Sequence, residues 1–156
     1  MARKTFFSFR YKNDNWRAAI VRNSWVCKGS QNCAGFFDSA EWEEVKRKSD
    51  DSIKKWIDEQ LFGTSVTVVL IGSDTYNKKW INYEIIASHK RGNGLLGIYV
   101  HNIKDKNNKI SIKGKNPFDY WDWSECPKGK PKVYDWFADD GYNNIGKWIE
   151  KATINK

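Results

Sequence analysis

Apolar residues fall along this chain in short runs separated by longer stretches of mixed polarity. Thr5 to Phe9 is an aromatic run that reads as a buried strand, and Tyr11-Lys12-Asn13-Asp14-Asn15 supplies loop and N-cap chemistry before a helix expected from about Trp16 to Val26. A second short strand is expected at Ala34 to Asp38. Ile53, Trp56, Ile57 and Leu61 then recur at helical spacing and stop at Gly63, a natural residue just past a helix end. Ser65 to Ile71 is β-branched and apolar on both faces, as a central parallel strand requires. Ser73-Asp74-Thr75 reads as a cap cluster for a helix from about Asn77 to Lys90, closed by Arg91-Gly92-Asn93-Gly94, and Leu95 to Val100 is a fourth strand. From His101 to Lys132 the chain is polar and loop-rich, an insertion before a last helix at about Asn143 to Ala152 that buries Ile145, Trp148 and Ile149. Strand and helix alternate without internal repeat, which predicts an α/β domain with a central parallel sheet and helices on both faces.

Composition narrows the class. The 156 residues suit one domain spanning 1–156, and 40% hydrophobic with 29% charged residues fits neither a disordered nor a collagen-like nor a coiled-coil chain. Cys27, Cys33 and Cys126 match neither a zinc nor a redox-dithiol spacing and read as reduced thiols. The first nine residues lack the long apolar run of a secretory signal, and no segment approaches the roughly 18 apolar residues needed to span a bilayer. The expectation is a cytoplasmic protein with no membrane partner.

The formal charge of +8 suggests a polyanion until it is mapped. Residues 1–28 hold seven basic groups against Asp14, for +6; residues 29–100 come to −1, residues 101–132 to +4 and the remainder to −1. The lysines of 101–132 are interleaved with Asn, Gly and Pro, as in a solvated loop, whereas the first cluster flanks a strand end and a helix start, where an anion is readily held. No Cys/His finger, RNP-type aromatic motif or long basic helix accompanies either cluster, so the sequence argues against a nucleic-acid partner.

In a parallel α/β sheet the ligand crevice lies outside the carboxyl ends of the strands. The residues there are Ser8, Phe9, Arg10 and Asn13-Asp14 after the first strand, Gly72-Ser73-Asp74 after the third, and His101-Asn102 after the fourth. None forms a G-x-G-x-x-G or G-x-x-x-x-G-K-[ST] phosphate loop. The helix that follows the third strand carries a single acid, Glu84, four residues after Trp80 and three after Ile81, on the same face as that apolar pair. A carboxylate there is either partly desolvated, with the raised pKa of many functional groups, or held in a salt bridge by Lys79, Lys90 or an arginine of the first helix; spacing leaves both open. His89 and His101 lack partners for a metal site and read as surface or hydrogen-bonded side chains, and Ser8 and Ser73 have no general base in view. Asp139-Asp140-Gly141 reads as a turn leading into the last helix, and tryptophans at helical spacing such as Trp56 read as core.

Two stretches carry a resemblance. Phe6-Phe7-Ser8-Phe9 with Arg10 resembles the first-strand box of Toll/interleukin-1 receptor (TIR) domains, and Ser73-Asp74-Thr75-Tyr76-Asn77-Lys78-Lys79-Trp80-Ile81-Asn82-Tyr83-Glu84-Ile85 resembles their Ser…Trp-x-x-x-Glu box. Val21 to Val26, Thr64 to Gly72, Gly92 to Ile98 and Tyr134 to Tyr142 are similar, more closely, to the TIR-like proteins of bacterial Thoeris anti-phage defence, so the likeness covers nearly the whole chain. It implies a flavodoxin-like fold and cleavage of the nicotinamide–ribose bond of NAD+, with a cyclic ADP-ribose-type signal passed to a partner effector. It further implies Glu84 as the catalytic carboxylate, with Phe6, Ser8, Arg10, Asp14, Ser73 and Trp80 binding NAD+. NAD+ is then a substrate, with neither cofactor nor metal required, and a phage-derived trigger and self-association in the active state are expected.

The chemistry suits one carboxylate. Nicotinamide leaves a cationic glycoside as a neutral molecule, so no general acid is needed, and an ionised Glu84 would stabilise the oxocarbenium ion and orient the ribose. The alternative from another class is a non-catalytic TIR-like scaffold that binds nucleotide or phage protein and signals by assembly. A receiver domain is disfavoured because no paired acids follow the first strand.

Overall fold

The structure is a computed structural model, and it describes residues 4–26, 32–34 and 44–154. Strand β1 (Lys4–Ser8) leads into helix α1 (Tyr11–Val26), then β2 (Asn32–Ala34), α2 (Asp50–Leu61), β3 (Val66–Ile71), α3 (Lys79–Arg91), β4 (Gly94–Tyr99), a 3₁₀ turn at Pro117–Tyr120, β5 (Lys132–Asp135) and α4 (Gly141–Ile154). The five strands of the described residues form one all-parallel sheet in the order β2-β1-β3-β4-β5, with Ser8 opposite Val69 and Ile71 opposite Tyr99. The chain runs outward from β1 to β2 and returns to β3 on its other side. That reversal opens a crevice above the carboxyl ends of β1 and β3.

Alternation along the strands sorts the helices. Phe7, Val66, Val68, Leu70, Leu96 and Ile98 pack with Ala18, Val21 and Trp25 of α1 and with Ile145, Trp148 and Ile149 of α4. On the opposite face Phe6 meets Ile53, Ile57 and Leu61 of α2, and Val69 and Ile71 meet Ile81 and Ile85 of α3. Every residue of β3 is buried, as expected of a strand covered on both faces.

The structure moves several boundaries. Helix α1 begins five residues before Trp16, because the Arg10 carbonyl accepts from the amides of Asn13 (3.2 Å) and Asp14 (2.8 Å). Asp14 thus lies inside the first turn, where an acid is favoured by the helix dipole. The second strand occupies 32–34; the remainder of its expected span, 35–38, lies outside the described residues. Ser73-Asp74-Thr75 is a turn and not the cap of α3: Thr75 Oγ1 accepts from the Gly72 amide at 2.8 Å, Asn77 adopts φ 55°, and the helix starts two residues later.

The largest departure is in 101–132. This stretch is loop-rich, yet Pro117 and Phe118 are buried, and Phe118 is 0% exposed. Its ring lies over Gly97, where an added Cβ would stand 3.2 Å from it, so a strand glycine makes room for a loop aromatic. Trp121 and Trp123 pack beside it, covering the α3 face of β4 where no helix follows that strand. The stretch ends in β5, an edge strand the pattern did not suggest because its four residues follow a Pro/Gly/Lys run and two of them are charged.

Candidate active site

A cleft of about 150 Å³ opens beside the carboxyl end of β1, between α2 and α3. Among the described residues Glu84 is the only acid in its lining, while Arg10, Lys12, Lys46 and Lys78 supply positive charge. Ser8, the last residue of β1, donates from Oγ to Glu84 Oε1 at 2.7 Å. These two residues are 76 positions apart and meet because Ser8 shares a strand face with Phe6, the face against which α2 and α3 pack. No ion pair reaches Glu84 among the described residues, so the salt-bridge alternative is not what the fold builds; Lys79 pairs instead with Asp50.

Burial pushes the Glu84 carboxyl up from 4.5 to about 8, and the Ser8 hydrogen bond pulls it only part of the way back. Near neutral pH the resting carboxyl is therefore chiefly the protonated acid and not the carboxylate expected from the sequence. A cation placed beside it would favour the carboxylate.

Above the cleft, Arg10 pairs weakly with Asp74 (3.4 Å), and Lys78 holds the other oxygen of the same carboxylate (3.0 Å). Asp74 thereby keeps two cations at one mouth. Arg10 Nε is buried without a hydrogen-bond partner, a donor left for something else to satisfy. Trp80 and Trp56 line the cleft from α3 and α2. Trp56, half-buried, is therefore a wall of the cleft as well as a neighbour of the core, and spacing along α2 alone could not reveal which wall it forms.

The structure does not bring all the expected residues together. Phe6 is 2% exposed and packs among Ile53, Ile57 and Leu61 beneath the cleft, so it supports the floor and is not placed to stack on a ligand. Ser73 is exposed in the turn after β3 and is not part of the lining. Asp14 is 1% exposed and also outside the lining. Its Oδ1 accepts from Arg17 Nη1 at 3.3 Å, its Oδ2 has no hydrogen-bond partner, and burial raises its pKa against the pull of Arg17. The carboxylate lies against Gly72, where any Cβ would collide with it. Arg17 in turn donates from Nε to the Ile103 carbonyl (2.7 Å) and from Nη2 to the Lys109 carbonyl (3.2 Å). Asp14 and Arg17 therefore fasten the loop after β4 over the sheet end. His101 is buried in that loop with Nδ1 unpartnered, its pKa lowered mainly by burial, whereas His89 is exposed with its ring edge on Trp123. No cluster of three or more metal-ligating side chains occurs among the described residues, and no described helix is long and apolar enough to cross a membrane.

A parallel five-stranded sheet in the order 2-1-3-4-5, flanked by helices on both faces, with one desolvated carboxylate on the helix after β3, defines a flavodoxin-like TIR domain. The comparison with known sequences gives the family. Residues 6–105 match the family described as "Thoeris protein ThsB, TIR-like domain", and the chain belongs to it. A relative from Bacillus cereus (strain MSX-D12), named "Putative cyclic ADP-D-ribose synthase ThsB1", is 38% identical over 191 residues, an alignment covering 96% of this chain and 100% of the relative.

Proposed function

We propose that this protein cleaves NAD+ at the nicotinamide–ribose bond and releases the ADP-ribose part as a cyclic signal nucleotide in anti-phage defence. Glu84, in the lining of a cation-lined cleft and held by the buried Ser8 outside that lining, carries the reading, and the name of the Bacillus cereus relative supports it. A cavity of about 150 Å³ is the size that takes a single six-membered aromatic ring, so the cleft suits nicotinamide, with the rest of the dinucleotide along the basic mouth. Trp80 and Trp56 offer flat apolar surface to that ring. Arg10 and Lys78 face the pyrophosphate, and Arg10 Nε gains the partner it lacks.

Glu84 performs the chemistry through charge. Beside the cationic nicotinamide riboside the carboxyl gives up its proton to water, and the resulting carboxylate stabilises the oxocarbenium ion that forms as the C–N bond breaks and the electron pair leaves with neutral nicotinamide. Ser8 fixes the carboxylate by donating to it. The ribosyl cation is then captured by a hydroxyl of the same molecule, which closes the cycle, or by water, which gives linear ADP-ribose; in either case the attacking oxygen loses its proton. A carboxyl that rests as the acid suits an enzyme that acts only when triggered. The signal reaches a separate effector protein in a cytoplasmic pathway, and self-association accompanies activation.

Mass spectrometry of NAD+ incubated with lysate of phage-infected cells expressing the wild type or Glu84→Gln tests this. The expected result is nicotinamide and a cyclic ADP-ribose isomer from the wild type only. Undiminished nicotinamide release by the variant would sink the assignment, and nucleotide binding with no turnover under any trigger would assign a scaffold instead.

A further inference from the structure

A second cavity lies at the other end of the sheet. It has a volume of about 600 Å³ and sits where β4 and β5 begin, between the carboxyl ends of α3 and α4. Trp123, Tyr134 and Trp148 give it aromatic walls, with Tyr134 and Trp148 stacked at 4.2 Å and 6°. Lys128, Lys132 and Lys151 line it as exposed ammonium groups with no ion-pair partner among the described residues; a fourth lysine, Lys130, is turned to Asp119. No acid is in the lining among the described residues. The two helix ends contribute at most about half a negative charge each, which three unpaired lysines exceed. Aromatic walls and lysines without an ion-pair partner among the described residues, in a cavity large enough for a base, a sugar and a phosphate, suit a nucleotide.

We infer that this cavity is a second binding site, for a nucleotide monophosphate group with its base against the aromatic walls and its phosphate on Lys128, Lys132 and Lys151. Its occupant touches the seat of the catalytic helix. Asn93, in the lining, donates from Nδ2 to Thr64 Oγ1 (2.9 Å) and Thr67 Oγ1 (3.2 Å), and Thr67 shares a 2.7 Å hydrogen bond with Ser88. Ser88 is one turn beyond Glu84 on α3, so the network ties the second cavity to the helix that carries the carboxylate. The site is independent of the cleavage reading, because binding is measured without turnover.

The test is calorimetric titration of AMP into full-length Glu84→Gln protein, repeated with Lys132→Glu/Lys151→Glu and with Arg10→Ala added. AMP is expected to bind with a dissociation constant weakened at least about tenfold by the lysine pair and less than about twofold by Arg10→Ala. Amide exchange in residues 85–93 is expected to slow with AMP in the parent and not in the lysine variant. Lys128→Ala/Lys132→Ala replaces the charge reversal if that variant loses its thermal transition. No saturable AMP binding, binding lost with Arg10 and untouched by the lysines, or displacement of AMP by equimolar inorganic phosphate would overturn the nucleotide site, and unchanged exchange in 85–93 would overturn its connection to α3.

Discussion

The two ends of the sheet differ in a way that size alone would misread. The cavity at the amino ends of β4 and β5 is the larger, about 600 Å³ against about 150 Å³, and its charge comes from exposed lysines. The cleft at the carboxyl ends is small, and among the described residues its cations accompany a single carboxyl that desolvation pushes up to about 8. Solvated ammonium groups attract a ligand but change little on binding it. A buried carboxyl stores free energy that a bound cation releases. The difference teaches that the size of a cavity and the electrostatic tension it holds are separate properties: the larger cavity holds solvated charge, the smaller a desolvated carboxyl.

Substitutions at the two ends should separate these roles. The largest effect is expected from Glu84→Gln, which should lower NAD+ cleavage by at least about 10²- to 10³-fold. The same change should stabilise the protein. Because the folded pKa of about 8 stands above the ordinary 4.5, ionisation of Glu84 opposes folding, and the cost grows as pH rises from 4.5 to 8. Thermal melts should show Glu84→Gln gaining on the wild type across that window, by on the order of 3 kcal/mol at pH 7. A difference that shrinks as pH rises would refute the burial argument.

Arg17→Met comes next. It removes the donors to the Ile103 and Lys109 carbonyls and strands the buried Asp14, at a cost of about 3 kcal/mol read by denaturant unfolding. Ser8→Ala is expected to lower kcat by about tenfold, since a hydrogen bond to a charged group contributes roughly 1.5 kcal/mol. Because that bond lowers the Glu84 pKa, its loss should also move the midpoint of the rising pH profile of kcat/KM, near 8 in the wild type, to higher pH. A midpoint that stays put would mean Ser8 does not hold the carboxylate. The smallest effect is at the other end: Lys132→Ala and Lys151→Ala, both exposed, should change stability by no more than about 0.5 kcal/mol.

Much of the architecture follows from local pattern, and where the pattern misleads, the cause is a contact distant in sequence. The continuous apolar run of β3 and the 3.6-residue stripe of α2 identify themselves, because each sees the same environment along its length. Phe118 does not, because nothing near it in the chain announces the glycine on β4 that receives its ring. Asp14 and Glu84 make the same point as a pair. Both are acids beside apolar neighbours, yet one is fastened to Arg17 beneath a loop and the other faces a cleft.

By itself the sequence determined the alternation of strand and helix and the presence of one acid on the apolar face of α3, since both rest on spacing along the chain, and it put the crevice at the carboxyl ends of the strands without choosing among the first, third and fourth. Only the tertiary structure decided that Ser8 and not a lysine meets Glu84, that Phe6 and Asp14 lie beneath the surface while Trp56 lines the cleft, and that a fifth strand closes the sheet. Each of those depends on how far one packed element stands from another, and solvent exclusion, which sets the Glu84 pKa, exists only once they have packed.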